Sequence, residues 1–540
     1  MYNNSNTERR TGEGLFTGVN PVMAVGSTVL VIAFVLFTVM VPETAGSLYN
    51  SAKGFIANNL SWYYIGLVSF FLFLAFAMTM SRYGNIRLGK DDEKPEYSFF
   101  SWFSMLFGAG IGIGILFWSI AEPIYHFQSN PFIAEGQESS VEAAQIAMRI
   151  SIFHWGLHGW ALFALSGLGL AYFHYRKGLP LSVRSGLYPI FGDKIYGPIG
   201  HAADLLAVFG TVFGIATSLG LGAQQMNTGL NYLFGFEVSI TNKIIIIAVI
   251  SVLATMSVLS GVNKGIKILS EFNMHLTMVM LVFFLIFGPT VYILGSFATN
   301  LGDYLTNAIP LGFWVETDPS NSWQGGWTIF YWGWWIAWAP FVGIFIARIS
   351  RGRTVKEFLL GVLLAPTLLS TFWITTFGNT AMFLELFGAG GVTEAVNADI
   401  TSALYTTIEL MDLGSTLTIL GAAMCTVLLV TYFVTSADSA TLVICTILSM
   451  GDENPANRYR IFWGLSIGAV SAVLLFAGGL RALQTASIVA ALPYSFVLIL
   501  TTWGLLKSLH LEVSEIISTI DDEEHPYSAG NAAPAAAPAE

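Results

Sequence analysis

The sequence predicts an all-α polytopic membrane protein with twelve transmembrane helices, and three observations predict it. Hydrophobic residues make up 54% of the chain and charged residues 11%, with a mean hydropathy of +0.65; soluble domains carry about 25% charged residues. Apolar runs long enough for the ~20 helical residues that a bilayer requires recur along the chain. Lys and Arg gather in every second connection between those runs.

The spans are expected near 22–42, 61–81, 99–120, 148–173, 201–231, 243–262, 272–297, 326–347, 357–378, 414–437, 461–480 and 483–507. Placing both termini in the cytoplasm puts all of the 23 basic residues inside except Lys53, Arg149, Lys243 and Arg481, the bias of the positive-inside rule. Residues 1–20 form a polar cytoplasmic segment without a cleavable signal pattern. Residues 21–510 form the membrane domain, and 511–540 a short, largely disordered tail that turns acidic at Asp521 and ends in an Ala/Pro run. The connections 121–147 and 379–413 are expected outside, as is 298–325, which has room for a helix along the membrane surface. Cys425 and Cys445 read as small core residues with no metal spacing.

Span 3 reads FGAGIGIGILFW, with Gly108, Gly110, Gly112 and Gly114 in alternation. Such glycines destabilise a helix by roughly 1 kcal/mol each relative to alanine. The carbonyls they free are tolerated in a membrane only beside a cavity. Span 8, five helices later, contains Gly333 and Pro340. Matching interruptions in two halves predict inverted five-helix repeats, spans 3–7 (99–297) and 8–12 (326–507), with spans 1–2 added and the site at the breaks. No acid falls within the glycine run, so a ligand there suits a zwitterion better than a bare cation.

Five tryptophans lie between Trp327 and Trp338 inside span 8. Indole faces attract cations without hydrogen-bond donors, such as quaternary ammonium groups; the competing reading is packing between helices. In span 4, FHWGLHGWALF sets Trp160 about 140° and Phe163 about 80° round a regular helix from Trp155, so the three can share one aromatic face. His154 and His158 have a metal-like spacing of four, but no third ligand is near in sequence. They read better as neutral histidines hydrogen-bonded between helices. Span 10 ends in TYFVTSADSA. Thr435 and Ser436, with freed carbonyls, would make a neutral oxygen shell for sodium, unless their hydroxyls bond back along their own helix. Asp438 is expected to cap a helix or to pair with Arg348 or Arg351. A channel would need a sustained polar stripe and an enzyme a His/Asp/Glu cluster at membrane depth. The sequence shows neither, so no enzymatic activity is expected.

Three motifs, GAGIGIGILFWSIAEPIY, FHWGLHGWALFALSGLGLAYF and WTIFYWGWWIAWAPFVGIFIARISRGRTVKEF, resemble the betaine/choline/carnitine transporter family, most of all its sodium-coupled glycine betaine symporters. The resemblance runs from about span 3 to span 12. It implies the LeuT-type fold, a homotrimer in the bacterial inner membrane, and transport of a small trimethylammonium zwitterion with sodium as coupling ion. No other cofactor and no nucleic acid is implied. By motif, Trp155, Trp160, Phe163 and Trp335 would form the substrate cage, with Trp334 and Trp338 along the pathway and Gly110, Gly112 and Gly114 facing the ligand. Members similar to this chain often carry tyrosine where Phe163 stands. One sodium site would use Gly108, Ile111, Thr435, Ser436 and Tyr432. A second would use Thr211 and the Phe341 ring, but Ile215 replaces a threonine expected there, which puts two-sodium stoichiometry in question. Choline-transporting relatives tend to carry aspartate at the position of Gly114; glycine favours a ligand that brings its own carboxylate. Dimethylsulfoniopropionate, carnitine, ectoine and choline are the alternative cargoes. Relatives that sense osmotic stress do so through long basic tails. This chain has no Lys or Arg after Lys507, which implies weak activation through the tail.

Overall fold

Asn20 and Pro21 begin the first membrane helix. The Asn20 side chain accepts from the Met23 N–H at 3.1 Å, and Pro21 occupies the first turn, where no N–H is needed. The computed structural model describes residues 12–110, 112–318 and 320–524, apart from side chains within 478–487 and 519–524. Helix α1 (Pro21–Met40), α2 (Pro42–Asn59) and α3 (Ser61–Met80) lead to α4 (Phe99–Gly110) and α5 (Gly112–Gln128), which bend by 63° at the glycine run. Span 4 is α6 (Val141–Trp155) and α7 (Leu157–Ala171). Next come α8 (Pro198–Phe234), α9 (Ile240–Ser260), α10 (Lys267–Phe287) and α11 (Thr290–Phe313). The second half holds α12 (Thr328–Arg348), α13 (Val355–Phe387), α14 (Ser415–Leu448) and the helical stretch α15 (Asn457–Glu524). Within α15, Asn457–Ala477 and Ile488–Ser518 are two separate apolar segments.

Among the described residues eleven segments are long and apolar enough to cross a membrane, and the bent α4–α5 pair makes a twelfth. The protein is a polytopic all-α membrane protein. Among the described residues the only β pairing is two isolated bridges, Gly12–Thr17 and Arg87–Thr354. The apolar windows of span 4 and of Trp323–Arg348 are buried throughout, and α12 packs against α7, α8 and α15 at the centre. On α1, by contrast, Val22, Val25, Val29, Ile32 and Leu36 face outward, the apolar exterior that lipid requires.

Several features differ from the sequence reading. Span 9 runs on to Phe387 and span 10 to Leu448 instead of ending near 378 and 437, so Thr435 and Ser436 lie inside α14 and not at its end. The seventh span ends at Phe287 and not near 297, because Pro289 has no N–H with which to continue the helix. The apolar residues beyond it belong to α11, whose Ile293, Asn300, Tyr304 and Ala308 are buried while Val291, Leu294, Leu305 and Ile309 are exposed. Span 8 is also not interrupted at Gly333 or Pro340; α12 runs through both. Gly333 serves packing, since a Cβ there would lie 3.2 Å from Ile488. Around Pro340, Ser166 donates to the Ala339 carbonyl at 3.1 Å and Gly210 closes on the Ala337 carbonyl, the neighbour support that lets membrane helices carry proline.

The basic segments after spans 2, 4 and 8 meet at one end of the molecule. Arg176 pairs with Asp91 and Glu512, each at 2.5 Å, Arg351 with Glu93 at 2.6 Å, and Arg348 with Glu453 at 3.1 Å. Asp438 therefore pairs with neither Arg348 nor Arg351. It is buried and accepts from the hydroxyls of Ser257 and Ser439. The first eleven residues and the tail beyond Glu524, with its Ala/Pro run, lie outside the described residues.

Candidate functional site

The glycine break holds the site open for large rings. Gly112 sits at φ +39°, in the left-handed region that favours glycine, and a Cβ there would stand 2.9 Å from Ser436 Oγ. The flanking glycines have a steric cause. A Cβ on Gly110 would lie 2.8 Å from the Trp160 ring, and one on Gly114 2.8 Å from Trp155 and 3.2 Å from Trp334.

The four rings read as a cage do come together. Ring centroids lie 5.1 Å apart for Trp155 and Trp335, 5.9 Å for Phe163 and Trp335, and 5.5 Å for Trp160 and Phe163, all edge to face. All four are buried. The route by which Trp155 and Trp160 meet differs from the sequence reading, which placed both on one regular helix. Gly156 breaks the helix with φ −96° and ψ −147°, so Trp155 closes α6 while Trp160 sits in the first turn of α7. The break frees the Leu157 N–H, which donates to the Tyr304 hydroxyl at 2.9 Å. A Cβ at Gly156 would collide with that hydroxyl. Trp335 is anchored through its indole N–H to the His154 carbonyl at 3.0 Å. Trp334 stacks on Trp335 at 4.9 Å, and Trp338 lies edge-on to Trp334 and to Phe341. Trp332 stacks on His158, and Trp327 covers His126 at 4.4 Å.

Sequence reasoning missed the acid at this site. Glu122, on α5, accepts from the Trp155 indole N–H at 2.8 Å, from the Tyr331 hydroxyl at 2.5 Å and from His154 Nδ1 at 2.6 Å. A carboxylate with histidine four residues on, inside an apolar helix, was the available signal. The neighbours of His154 are thus Glu122 and His126, whose donor atoms lie within 4.8 Å, and not His158. Its second nitrogen meets Thr328 Oγ1 at 3.0 Å, so His154 serves as a hydrogen-bonded link between helices.

Oxygen-bearing side chains cluster on the far side of the break. Thr435 receives Asn273 Nδ2 at 3.1 Å and donates back to the Tyr432 carbonyl at 3.0 Å, and Tyr432 shares a 2.8 Å bond with Thr277. Asn273 Oδ1 is buried with no hydrogen-bond partner among the described residues. Gly108 packs between Ser270 and Tyr432, and Ile111 lies outside the described residues. On α8 the buried Thr211 hydroxyl has no partner, and Ile215 and Phe341 are buried apolar side chains.

Comparison with known proteins agrees over nearly the whole chain. The model of the betaine/carnitine/choline family transporters matches residues 21–514. A probable glycine betaine transporter of Desulfitobacterium hafniense is 46% identical over 89% of this chain and 96% of its own length. Glycine betaine transporter OpuD of Bacillus subtilis is 45% identical over 90% of this chain and 93% of its own. A high-affinity choline transport protein of Escherichia coli is 38% identical over 92% and 72%. With its family motifs folded into one aromatic cluster against a glycine-broken helix, the chain belongs to the betaine/carnitine/choline transporter family and is a membrane transporter, not an enzyme.

Proposed function

We propose that this transporter imports glycine betaine, or a close trimethylammonium analogue, by sodium symport. The observation that carries the reading is the cage of Trp155, Trp160, Phe163 and Trp335 against a break with glycine at position 114. Cation–π contact is worth about 2 kcal/mol or more per desolvated ring face. Among the described residues the buried Trp160 indole N–H has no partner, and a substrate carboxylate would satisfy it. The names of the relatives from D. hafniense and B. subtilis support the same cargo.

Ser436 beside Gly112 and the Asn273 amide oxygen, unpartnered among the described residues, with main-chain carbonyls near Gly108, support a neutral oxygen shell for one sodium ion; Thr435, whose hydroxyl proton bonds back along its own helix, would offer its oxygen lone pairs. The Thr211 hydroxyl, without a partner among the described residues, on a helix packed against α12, which carries Phe341, supports a second, with one oxygen fewer where Ile215 stands. Alternating access would rock the bundle containing spans 3 and 8 against a scaffold, around this site. The placement of Lys and Arg supports cytoplasmic termini in a plasma membrane, and the family resemblance supports a homotrimer.

Uptake of labelled glycine betaine, with and without sodium, in a strain lacking its own osmolyte carriers tests the reading. Competition by unlabelled choline, carnitine, ectoine and dimethylsulfoniopropionate ranks the cargo. The expected result is sodium-dependent uptake competed best by betaine. Equal uptake in sodium-free medium would sink the symport claim.

A further inference from the structure

Glu122 lies two helical turns beyond Gly114 and is wholly buried. Three donors converge on its two oxygens: His154 Nδ1 on Oε1, and Trp155 Nε1 and Tyr331 Oη on Oε2. With His154 as its Nδ1–H tautomer, all three groups donate, the set that an acceptor-only, ionised carboxylate satisfies. On its own helix, His126 Nε2 stands 3.5 Å from Oε1. The donors come from α6 and α12, so one side chain ties the α5 half of the broken helix to two of the three helices that carry cage rings. Tyr331 faces Trp155 at 5.6 Å and Trp335 at 5.8 Å. The second anchored indole, Trp335, bonds to the main-chain carbonyl of His154, whose imidazole is held by the same carboxylate. Both indole N–H anchors in the cage therefore lead back to Glu122.

We propose that Glu122 is the positioning residue of the substrate cage: its carboxylate fixes the Trp155 ring against Trp335 and lends negative charge to the indole that faces the ammonium group. An anion bonded to an indole N–H pushes electron density into the ring and deepens the attraction of its face for a cation. In a dry site such charge-assisted bonds are stronger than in water. The carboxylate does this without entering the cage, so the site keeps a negative bias while the position of Gly114 stays free of any acid. The role rests on the betaine reading above.

The test uses the full-length carrier in proteoliposomes with labelled glycine betaine. Glu122→Gln keeps the size and removes the charge. The expected result is an apparent KM raised about 10- to 100-fold with the maximal rate within about threefold. Trp155→Phe keeps a ring and removes the N–H. If Glu122 acts through that bond, adding Glu122→Gln to Trp155→Phe raises KM by less than about threefold more. An unchanged KM in Glu122→Gln, or fully multiplicative effects in the double variant, overturns the proposal. Should Glu122→Gln fail to assemble, Trp155→Phe removes the N–H on that bond and leaves the carboxylate and a ring; an unchanged KM there overturns it equally. If the wild type takes up choline and not betaine, the substrate reading falls, and the same KM split read with choline decides the positioning role.

Discussion

Trp335 is bound twice over, by its ring edge to Trp155 and Phe163 and by its indole N–H to the His154 carbonyl. Replacing it with leucine removes a cage face worth about 2 kcal/mol and opens a cavity in a closely packed region. Trp335→Leu is expected to abolish betaine uptake while the protein still reaches the membrane, measured as uptake normalised to membrane-resident carrier. Near-normal transport would remove Trp335 from the cage. At this scale the sequence discloses residue types well. Indoles and alternating glycines announce themselves by composition and spacing. Glu122 did not, because its donors are 32, 33 and 209 residues away in the chain. A carboxylate in an apolar helix becomes interpretable only when its partners are known. Asp438 teaches the same lesson in reverse: the two arginines expected as its partners, Arg348 and Arg351, are engaged by Glu453 and Glu93, and two serines take their place.

Elements break where a neighbour can satisfy what the break exposes. At Gly156 that neighbour is Tyr304 on α11, whose hydroxyl accepts the freed Leu157 N–H. Tyr304→Phe leaves this buried donor unpaired, at a cost of about 1–3 kcal/mol. The melting temperature of the detergent-purified carrier should fall, and an unchanged melting curve would show that the break does not depend on Tyr304. Glycine content alone ranks break sites poorly. Gly112 and Gly156 interrupt their helices, whereas Gly333 packs against Ile488 and the helix continues. The difference lies in tertiary partners, the hydroxyls of Ser436 and Tyr304 in the first two cases and an aliphatic side chain in the third. Span 7 shows the complementary limit. Hydropathy ran past Gly288 and Pro289 because the following amphipathic helix α11 is itself apolar along one side.

For the whole molecule, hydropathy and the distribution of basic residues were enough to predict an all-α membrane protein with about twelve crossings, because a bilayer leaves few other ways to satisfy a backbone. Regulation belongs to this scale as well. Glu512, on α15, is gripped by Arg176, Lys177 and the Tyr172 hydroxyl, whereas residues 525–540 carry no Lys or Arg. Removing 525–540 is expected to leave the dependence of uptake on osmolality unchanged, measured as uptake rate across a series of external osmolalities. A lost or shifted activation threshold would assign that segment a sensing role.

The contacts of Gly110 with Trp160 and of Gly114 with Trp155 make each missing side chain the complement of one indole. These positions form units of inheritance. A lineage that gains atoms on the broken helix must lose them from the opposing ring or move it, so change of cargo within the family should proceed by paired substitution. A single replacement at either partner would pass through a carrier that grips no solute well, and such intermediates should be rare among its descendants.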